Sequence, residues 1–124
     1  MLIEDQEFKF ILGGQSYHCA LDITMGLIGG KWKVVVLWYL RGGKKRFSEL
    51  KARIPDITDK MLSLQLKALE KDGLVSRTVF PEVPPRVEYE LTPLGKSLEE
   101  VLVSISRWGK ELARKEGVLI RIEP

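Results

Sequence analysis

Apolar residues near the start of the chain form two runs, each followed by a pair of glycines. The first run, residues 19–29, predicts a helix, and Gly29 and Gly30 end it after a few turns. The second run, residues 32–40, is almost wholly apolar, so its periodicity does not separate a buried helix from a buried strand. Its three consecutive valines favour a strand. We nevertheless predict a helix, because the apolar residues of the next segment have helical spacing.

Apolar positions after the second glycine pair recur at the spacing of helices. Phe47, Leu50 and Ile54 lie at i, i+3 and i+7, and the proline after Ile54 favours an end there. Thr58 is a suitable N-cap for a further helix that reaches about Asp72. The sequence therefore predicts two helices joined by a short turn.

The helix at residues 58–72 is predicted to have two unlike faces. The face towards the core contains Met61, Leu62, Gln65, Leu66 and Leu69. The opposite face contains Lys60, Ser63, Leu64, Lys67 and Lys71. A recognition helix needs this division, because one side anchors it while the other reaches base edges and phosphates. A plain amphipathic surface helix would show the same pattern.

The chain then changes to the two-residue period of strands. Residues 75–80 and 86–91 predict two strands, with residues 81–85 at the tip between them. Thr92 and Pro93 have the character of a cap and first helical residue. An apolar stripe then passes through Leu94, Leu98, Val101, Leu102, Ile105 and Leu112. We expect one long amphipathic C-terminal helix.

Both ends of the chain alternate between apolar and other side chains. Residues 8–12 and 118–122 are therefore interpreted as short strands. The pattern allows these two strands to pair with each other and assigns them no function.

The predicted order of helix, turn, helix and β-hairpin is that of a winged helix-turn-helix. The expected fold class is α+β, mainly α, with a two-stranded wing and a long C-terminal dimerisation helix. A chain of 124 residues is long enough for one domain and too short for two. We expect a single domain over residues 1–124, with its core at 19–95 and with 1–18 and 96–124 serving dimerisation.

The distribution of charge is more informative than the net charge of +3. Residues 1–30 contain one basic and four acidic side chains, whereas residues 31–90 contain thirteen basic and eight acidic ones. Within the second segment, Glu49 alone opposes a basic block made of Lys31, Lys33, Arg41, Lys44, Lys45, Arg46, Lys51 and Arg53. Such a block suits a polyanionic partner. A merely solvated surface is an equal alternative.

Composition also narrows the possible location of the protein and the cofactors it could hold. No apolar stretch approaches the ~20 residues of a membrane span, and residues 1–7 are acidic rather than basic, so we expect a cytoplasmic protein without a membrane partner. A lone cysteine, Cys19, and a lone histidine, His18, exclude an internal disulfide and a Cys/His zinc site. No metal and no cofactor is expected.

Two other function classes compete with DNA binding. An enzyme is the weaker one: Trp32 stands where a phosphate loop needs a serine or threonine, and His18 beside Cys19 has no evident third group to orient it. The other is a winged helix that binds only proteins. The exposed charges predicted at Lys60, Lys67 and Arg86 favour nucleic acid over that alternative.

Four stretches resemble one known family. Residues 28–33 (IGGKWK), 46–50 (RFSEL), 61–75 (MLSLQLKALEKDGLV) and 82–95 (EVPPRVEYELTPLG) are similar to the HxlR family of transcription regulators. The resemblance extends in order from Cys19 to Leu112. It implies a MarR-like winged helix homodimer that binds duplex DNA and represses or activates a neighbouring gene, and it places the recognition helix within residues 58–71.

The resemblance and the helix pattern together define the candidate sites. DNA contacts are predicted for Thr58, Lys60, Ser63, Leu64, Lys67 and Arg86. The resemblance places Arg86 in a wing that reaches the minor groove or the backbone. Leu64 departs from the polar residue frequent in the family, which leaves the base contacts open, although it suits a thymine methyl.

Dimerisation and regulation are the last expectations. The dimer interface is predicted at Leu98, Val101, Leu102, Ile105, Trp108 and Leu112. Packing of this stripe against the first helix of the same chain is the alternative. A two-fold dimer predicts a pseudo-palindromic operator with half-sites about one helical turn apart. The resemblance makes Cys19 a candidate oxidant sensor, against a buried structural cysteine, and a small-molecule effector is the other open form of control.

Overall fold

The computed structural model describes residues 2–3, 6–7, 10–54 and 56–117. The elements, in chain order, are β1 (Leu2–Ile3), β2 (Gln6–Glu7), β3 (Phe10–Leu12), β4 (Gln15–Tyr17), α1 (Ala20–Ile28), α2 (Lys31–Leu40), α3 (Phe47–Arg53), α4 (Asp59–Lys71), β5 (Val75–Phe80), β6 (Arg86–Leu91), α5 (Pro93–Ser97) and α6 (Glu99–Glu116). The described part is thus mainly helical with three antiparallel strand pairs.

The N-terminal strands form local hairpins. β1 pairs with β2, and β3 pairs with β4, with Phe10 opposite Tyr17. Gly13 and Gly14 close the second hairpin at φ +59° and +77°, the positive values that a type I′ turn requires at both central positions. Strand β3 pairs with β4, the next strand in the sequence, because a two-residue turn closes a hairpin with little loss of chain entropy. Residues 8–9 and the predicted strand at 118–122 lie outside the described residues.

Helix α2 lies at the centre of the core. Val36, Leu37 and Leu40 are buried on it, and the helix packs against α3, α4 and β6. The prediction of a helix was therefore correct despite the three valines, since neighbours on several sides bury an almost wholly apolar helix. Among the residues that the structure describes, the buried hydrophobic side chains are Ile28, Val36, Leu37, Leu40, Leu50, Ile54, Ile57, Leu62, Leu66, Leu69, Leu74, Val75, Leu91 and Leu102.

Local hydrogen bonds cap helices α3 and α4. The Glu49 carboxylate accepts the backbone amide of Arg46 at 2.9 Å, and the Thr58 hydroxyl oxygen accepts the amide of Met61 at 3.1 Å. At the far end of α4, Gly73 adopts φ +77° and the amide of Leu74 donates to the Leu69 carbonyl at 2.9 Å, which is the Schellman arrangement. The predicted helix-turn-helix is therefore present with nearly the predicted bounds.

The wing is built on the predicted strands. β5 and β6 pair over six residues, from Val75 opposite Leu91 to Phe80 opposite Arg86. Lys45 forms an isolated antiparallel bridge with Tyr89. The Lys45 amide donates to the Tyr89 carbonyl at 2.9 Å, and the Lys45 carbonyl accepts from the Tyr89 amide at 2.8 Å. This bridge ties the segment between α2 and α3 to the wing.

The C-terminal helix is divided, which corrects the prediction of one long helix. Thr92 caps α5 by accepting the Gly95 amide at 3.1 Å, as expected, but Leu98 lies between α5 and α6 with φ −82° and ψ −5°. Its amide donates to the Gly95 carbonyl at 3.1 Å, a three-residue bond that tightens the turn. A Cβ on Gly95 would lie 2.1 Å from the Leu74 carbonyl oxygen, so close packing of α5 on the core requires glycine there.

None of the helices in the described ranges has the length and apolar character that crossing a bilayer requires.

We expect the buried and exposed leucines of α4 to differ sharply in their contribution to stability. Leu66 is fully buried and Leu64 is 50% exposed on the same helix. Leu66→Ala should lower the free energy of unfolding by about 2–5 kcal/mol, because it leaves a cavity in the core. The matched substitution Leu64→Ala should cost less than about 1 kcal/mol. Urea denaturation at one fixed protein concentration measures both, and equal losses would contradict the orientation of α4.

Candidate nucleic-acid interface

Helix α4 separates its buried and exposed side chains as the sequence predicted. Leu62, Leu66 and Leu69 are buried in the core. Lys60 and Lys67 are exposed, Leu64 is half-exposed, and Ser63 is partly buried. Anchoring by the leucines leaves a free face with two cations and one apolar side chain. Such a face can offer charge to phosphates and apolar contact to a thymine methyl.

The N-terminal end of α4 has a further donor set. The exposed Thr58 accepts a hydrogen bond from the Met61 amide, which leaves its hydroxyl proton available to an external acceptor. The first amides of a 13-residue helix also favour an anion at this end.

Lys51 shows that membership of the basic block does not imply a free charge. Its ammonium donates to the Ile57 carbonyl at 2.5 Å and lies 3.9 Å from an Asp59 carboxylate oxygen. Lys51 therefore connects α3 to the turn and to the first residue of α4. Its charge stabilises the angle between the two helices instead of facing outwards.

Arg86 is likewise engaged within the wing. Its guanidinium lies 3.3 Å from Glu82 and 3.7 Å from Glu88, and it stacks over Phe80 at 4.1 Å from the ring centroid. Two carboxylates thus oppose the cation that the sequence assigned to DNA. This arrangement stiffens the base of the tip, because the ion pairs and the stack join β5, β6 and the segment between them.

Sequence reasoning missed another cation of the wing. Arg77 lies in β5 opposite Tyr89 and is exposed, with no carboxylate within ion-pair distance among residues of the described ranges. Strand alternation could not have revealed it, since positions 75 and 77 lie on the same face of the strand and Val75 is buried.

The predicted dimer stripe divides into a buried and an exposed part. Leu102 is 3% exposed in the core of the same chain, and Leu98 packs against that core. The remaining members, Val101, Ile105, Trp108 and Leu112, are all exposed. Their steps of four, three and four residues follow the seam spacing of helices that pack on one another. The stripe is therefore available to a partner only through these four side chains.

Cys19 lies at the N-cap of α1 and is partly exposed. Its side chain makes no capping bond; the neighbouring His18 amide donates instead to the Asp22 carboxylate at 2.9 Å. The thiol is neither fully buried nor fully open.

Taken together, α2, α3 and α4 followed by the β5–β6 hairpin define a winged helix-turn-helix, the class of many DNA-binding regulators. The chain belongs to the HxlR family, described as HxlR-like helix-turn-helix, whose family profile matches residues 27–117. The family members similar to it are transcription regulators and not enzymes. The resemblance drawn from the sequence is thus confirmed.

Relatives and solved structures agree with this assignment. The chain is 50% identical over 99 residues to an HTH-type transcriptional regulator of Methanothermobacter thermautotrophicus, covering 80% of this chain and 76% of that protein. It is similar to the crystal structure of the HTH-type regulator YtcD, with a TM-score of 0.74 at 49% identity over 77% of this chain and 98% of that one. The redox regulator HypR in its oxidized form matches with a TM-score of 0.72 at 45% identity, over 75% and 96% of the two chains.

Proposed function

We propose that this regulator acts as a homodimer that recognises a pseudo-palindromic operator in duplex DNA. The observation that carries the proposal is the orientation of α4, whose three buried leucines leave Lys60, Leu64 and Lys67 exposed. A helix so anchored is suited to enter the major groove, because its outer face is not needed to hold the fold together.

The side chains of α4 take different roles in this proposal. Lys60 and Lys67 neutralise phosphates, which positions the helix without reading sequence. Ser63 and Leu64 lie between them and face the base edges, where Leu64 contacts a thymine methyl. The exposed hydroxyl of Thr58 and the first amides of α4 bind a backbone phosphate.

Residues 81–86 of the wing contact the minor groove or the adjacent backbone. Arg86 supports this contact by holding the tip, since its guanidinium already faces Glu82 and Glu88. Arg77 is the exposed wing cation that supplies the phosphate contact.

A second copy of the chain covers the exposed stripe of α6. Val101, Ile105, Trp108 and Leu112 form a continuous apolar face, and a two-fold arrangement of two such faces buries all of them. Two-fold symmetry makes the two α4 helices equivalent, and the proposed half-sites then lie about one helical turn of DNA apart, as in other dimeric helix-turn-helix regulators.

Control by oxidation is proposed through Cys19. The thiol is partly exposed at the start of α1, and the similarity to HypR, a redox regulator, supports this role. An oxidant such as diamide accepts two electrons and two protons from two Cys19 thiols, one from each subunit, and a disulfide between the subunits forms. That bond would change the separation of the two reading helices.

We expect substitutions on α4 to separate affinity from specificity. Lys67→Ala should weaken binding to all duplexes alike and make the slope of log K against log salt shallower by about 0.9. Leu64→Ala should instead change which sequence is preferred, by about 1–3 kcal/mol at one base pair. Binding isotherms on the best duplex selected from random DNA, recorded at several salt concentrations, measure both.

The control for these variants is Lys110→Ala, which removes an exposed lysine of α6 outside the apolar stripe. It should leave the salt dependence of the affinity and the preferred DNA sequence unchanged. The selected duplexes themselves should be pseudo-palindromic. Failure of the wild-type protein to select any sequence, or identical behaviour of Lys67→Ala and Lys110→Ala, would refute the reading role of α4.

Dimerisation should depend on the centre of the exposed stripe. Trp108→Asp places a charge in the apolar interface and should weaken the dimer by about 2 kcal/mol or more. Lys110→Asp places the same side chain two residues away, off the stripe, with twice the change in net charge, and should nevertheless leave the dimer intact. Sedimentation velocity across a dilution series distinguishes the two, and a monomeric wild-type protein at micromolar concentration would exclude this interface.

Diamide should change the DNA affinity of the wild-type protein and leave Cys19→Ser unaffected, because only the thiol reacts. Non-reducing electrophoresis should show a covalent dimer in the wild type alone, and dithiothreitol should reverse both effects. Superimposable binding curves for the two proteins with and without diamide would remove Cys19 from the mechanism.

A further inference from the structure

A cleft of about 490 Å³ lies where the ends of α2 and α3 meet the start of α6. Its lining includes three cations, Arg41, Lys45 and Arg53. Glu99 is the one carboxylate among its lining residues, which also include Trp38 and Tyr39. The cleft therefore has a formal charge of +2.

Arg41 is held in place without being fully neutralised. Its guanidinium stacks on Trp38 at 4.0 Å from the ring centroid, and one terminal nitrogen lies 3.6 Å from a Glu99 oxygen. Its Nε is shielded from solvent and donates no hydrogen bond to a described residue. Stacking therefore orients the guanidinium, while the Glu99 contact at 3.6 Å is too long for a strong hydrogen bond to its terminal nitrogen.

The other two cations converge on the same space from different elements. The backbone of Lys45 is fixed by its bridge to Tyr89, and Arg53 is the last residue of α3. Among the described residues, no carboxylate lies within ion-pair distance of Lys45 or Arg53. Convergence of like charges is unfavourable unless an anion enters between them.

We propose that this cleft binds a small dianion of the phosphate monoester type. A phosphate monoester carries about −1.5 to −2 charges at neutral pH, which matches the charge of the cleft. Guanidinium groups suit its oxygens because they donate paired hydrogen bonds in a planar fork. The volume lies within the usual range of small-ligand sites.

A DNA backbone is the less suitable occupant. Each phosphodiester carries a single charge, so it matches the net charge of the cleft less well than a dianion does. A cleft of this volume accommodates a compact ligand rather than an extended strand.

Occupancy of the cleft would connect the two halves of the regulator. Arg53 belongs to the first helix of the helix-turn-helix, whereas Glu99 begins the helix that carries the exposed stripe. A ligand held between them senses their separation, so its affinity and the DNA affinity are coupled. This regulatory consequence rests on the proposed function; the binding site itself does not.

The test compares two probes of similar shape and different charge, phenyl phosphate and phenyl sulfate, by calorimetry at pH 8 and low salt. Phenyl phosphate should bind roughly tenfold more tightly than the monoanionic sulfate, a difference of about 1.4 kcal/mol. Arg53→Gln should weaken phenyl phosphate binding by roughly tenfold, and Lys110→Gln should not change it. Circular dichroism of each variant verifies that it is folded.

Equal affinities of the two probes, or an unchanged affinity in folded Arg53→Gln, would overturn the site. So would a shallower salt dependence of DNA binding in Arg53→Gln together with no binding of phenyl phosphate, since the cluster would then contact DNA. The calorimetry contains no DNA, so phenyl phosphate binding by a protein that ignores all duplexes would overturn only the proposed function. An unchanged DNA affinity at saturating phenyl phosphate would overturn only the coupling.

Discussion

The burial of the leucine face of α4 against α2 is the interaction on which the other features of the molecule depend. Leu62, Leu66 and Leu69 are buried together with Val36 and Leu37 of the central helix. Because side chains three and four residues apart share one helical face, this burial leaves Lys60, Leu64 and Lys67 on the outside. The same apolar contact that stabilises the fold therefore orients the surface that is proposed to contact DNA.

The positive charges of the molecule fall into groups with different environments. Lys60, Lys67 and Arg77 are exposed, whereas Lys51 is bound to the turn and Arg86 to two carboxylates of the wing. Arg41, Lys45 and Arg53 border a shared cleft. A count of lysines and arginines does not separate these groups, since all of them contribute alike to the net charge. Their separate environments distinguish the cations that hold the turn and the wing in place from those proposed to bind an anion in the cleft or to contact DNA through α4.

Much of the fold was predictable because its determinants are local. The strands at 75–80 and 86–91 were predicted with the observed bounds, and Thr58 and Thr92 cap helices as expected. Caps, turn glycines and side-chain alternation act over a few residues, so the chain alone expresses them. The interruption at Leu98 was not predictable in this way, because it accompanies the approach of Gly95 to the Leu74 carbonyl, a contact between distant parts of the chain.

The candidate site, like the fold, was predictable only where its features depend on local sequence. Sequence determined that α4 has a lysine-bearing face, that an apolar stripe follows the wing, and that the middle of the chain is basic, since each is a property of residue order. Tertiary structure alone decided that Leu102 belongs to the core while Trp108 remains exposed, that Arg86 faces two carboxylates, and that three cations meet at one cleft. The physical reason is that burial and charge neutralisation depend on neighbours that folding brings from elsewhere in the chain, whereas periodicity and capping depend only on residues a few positions away.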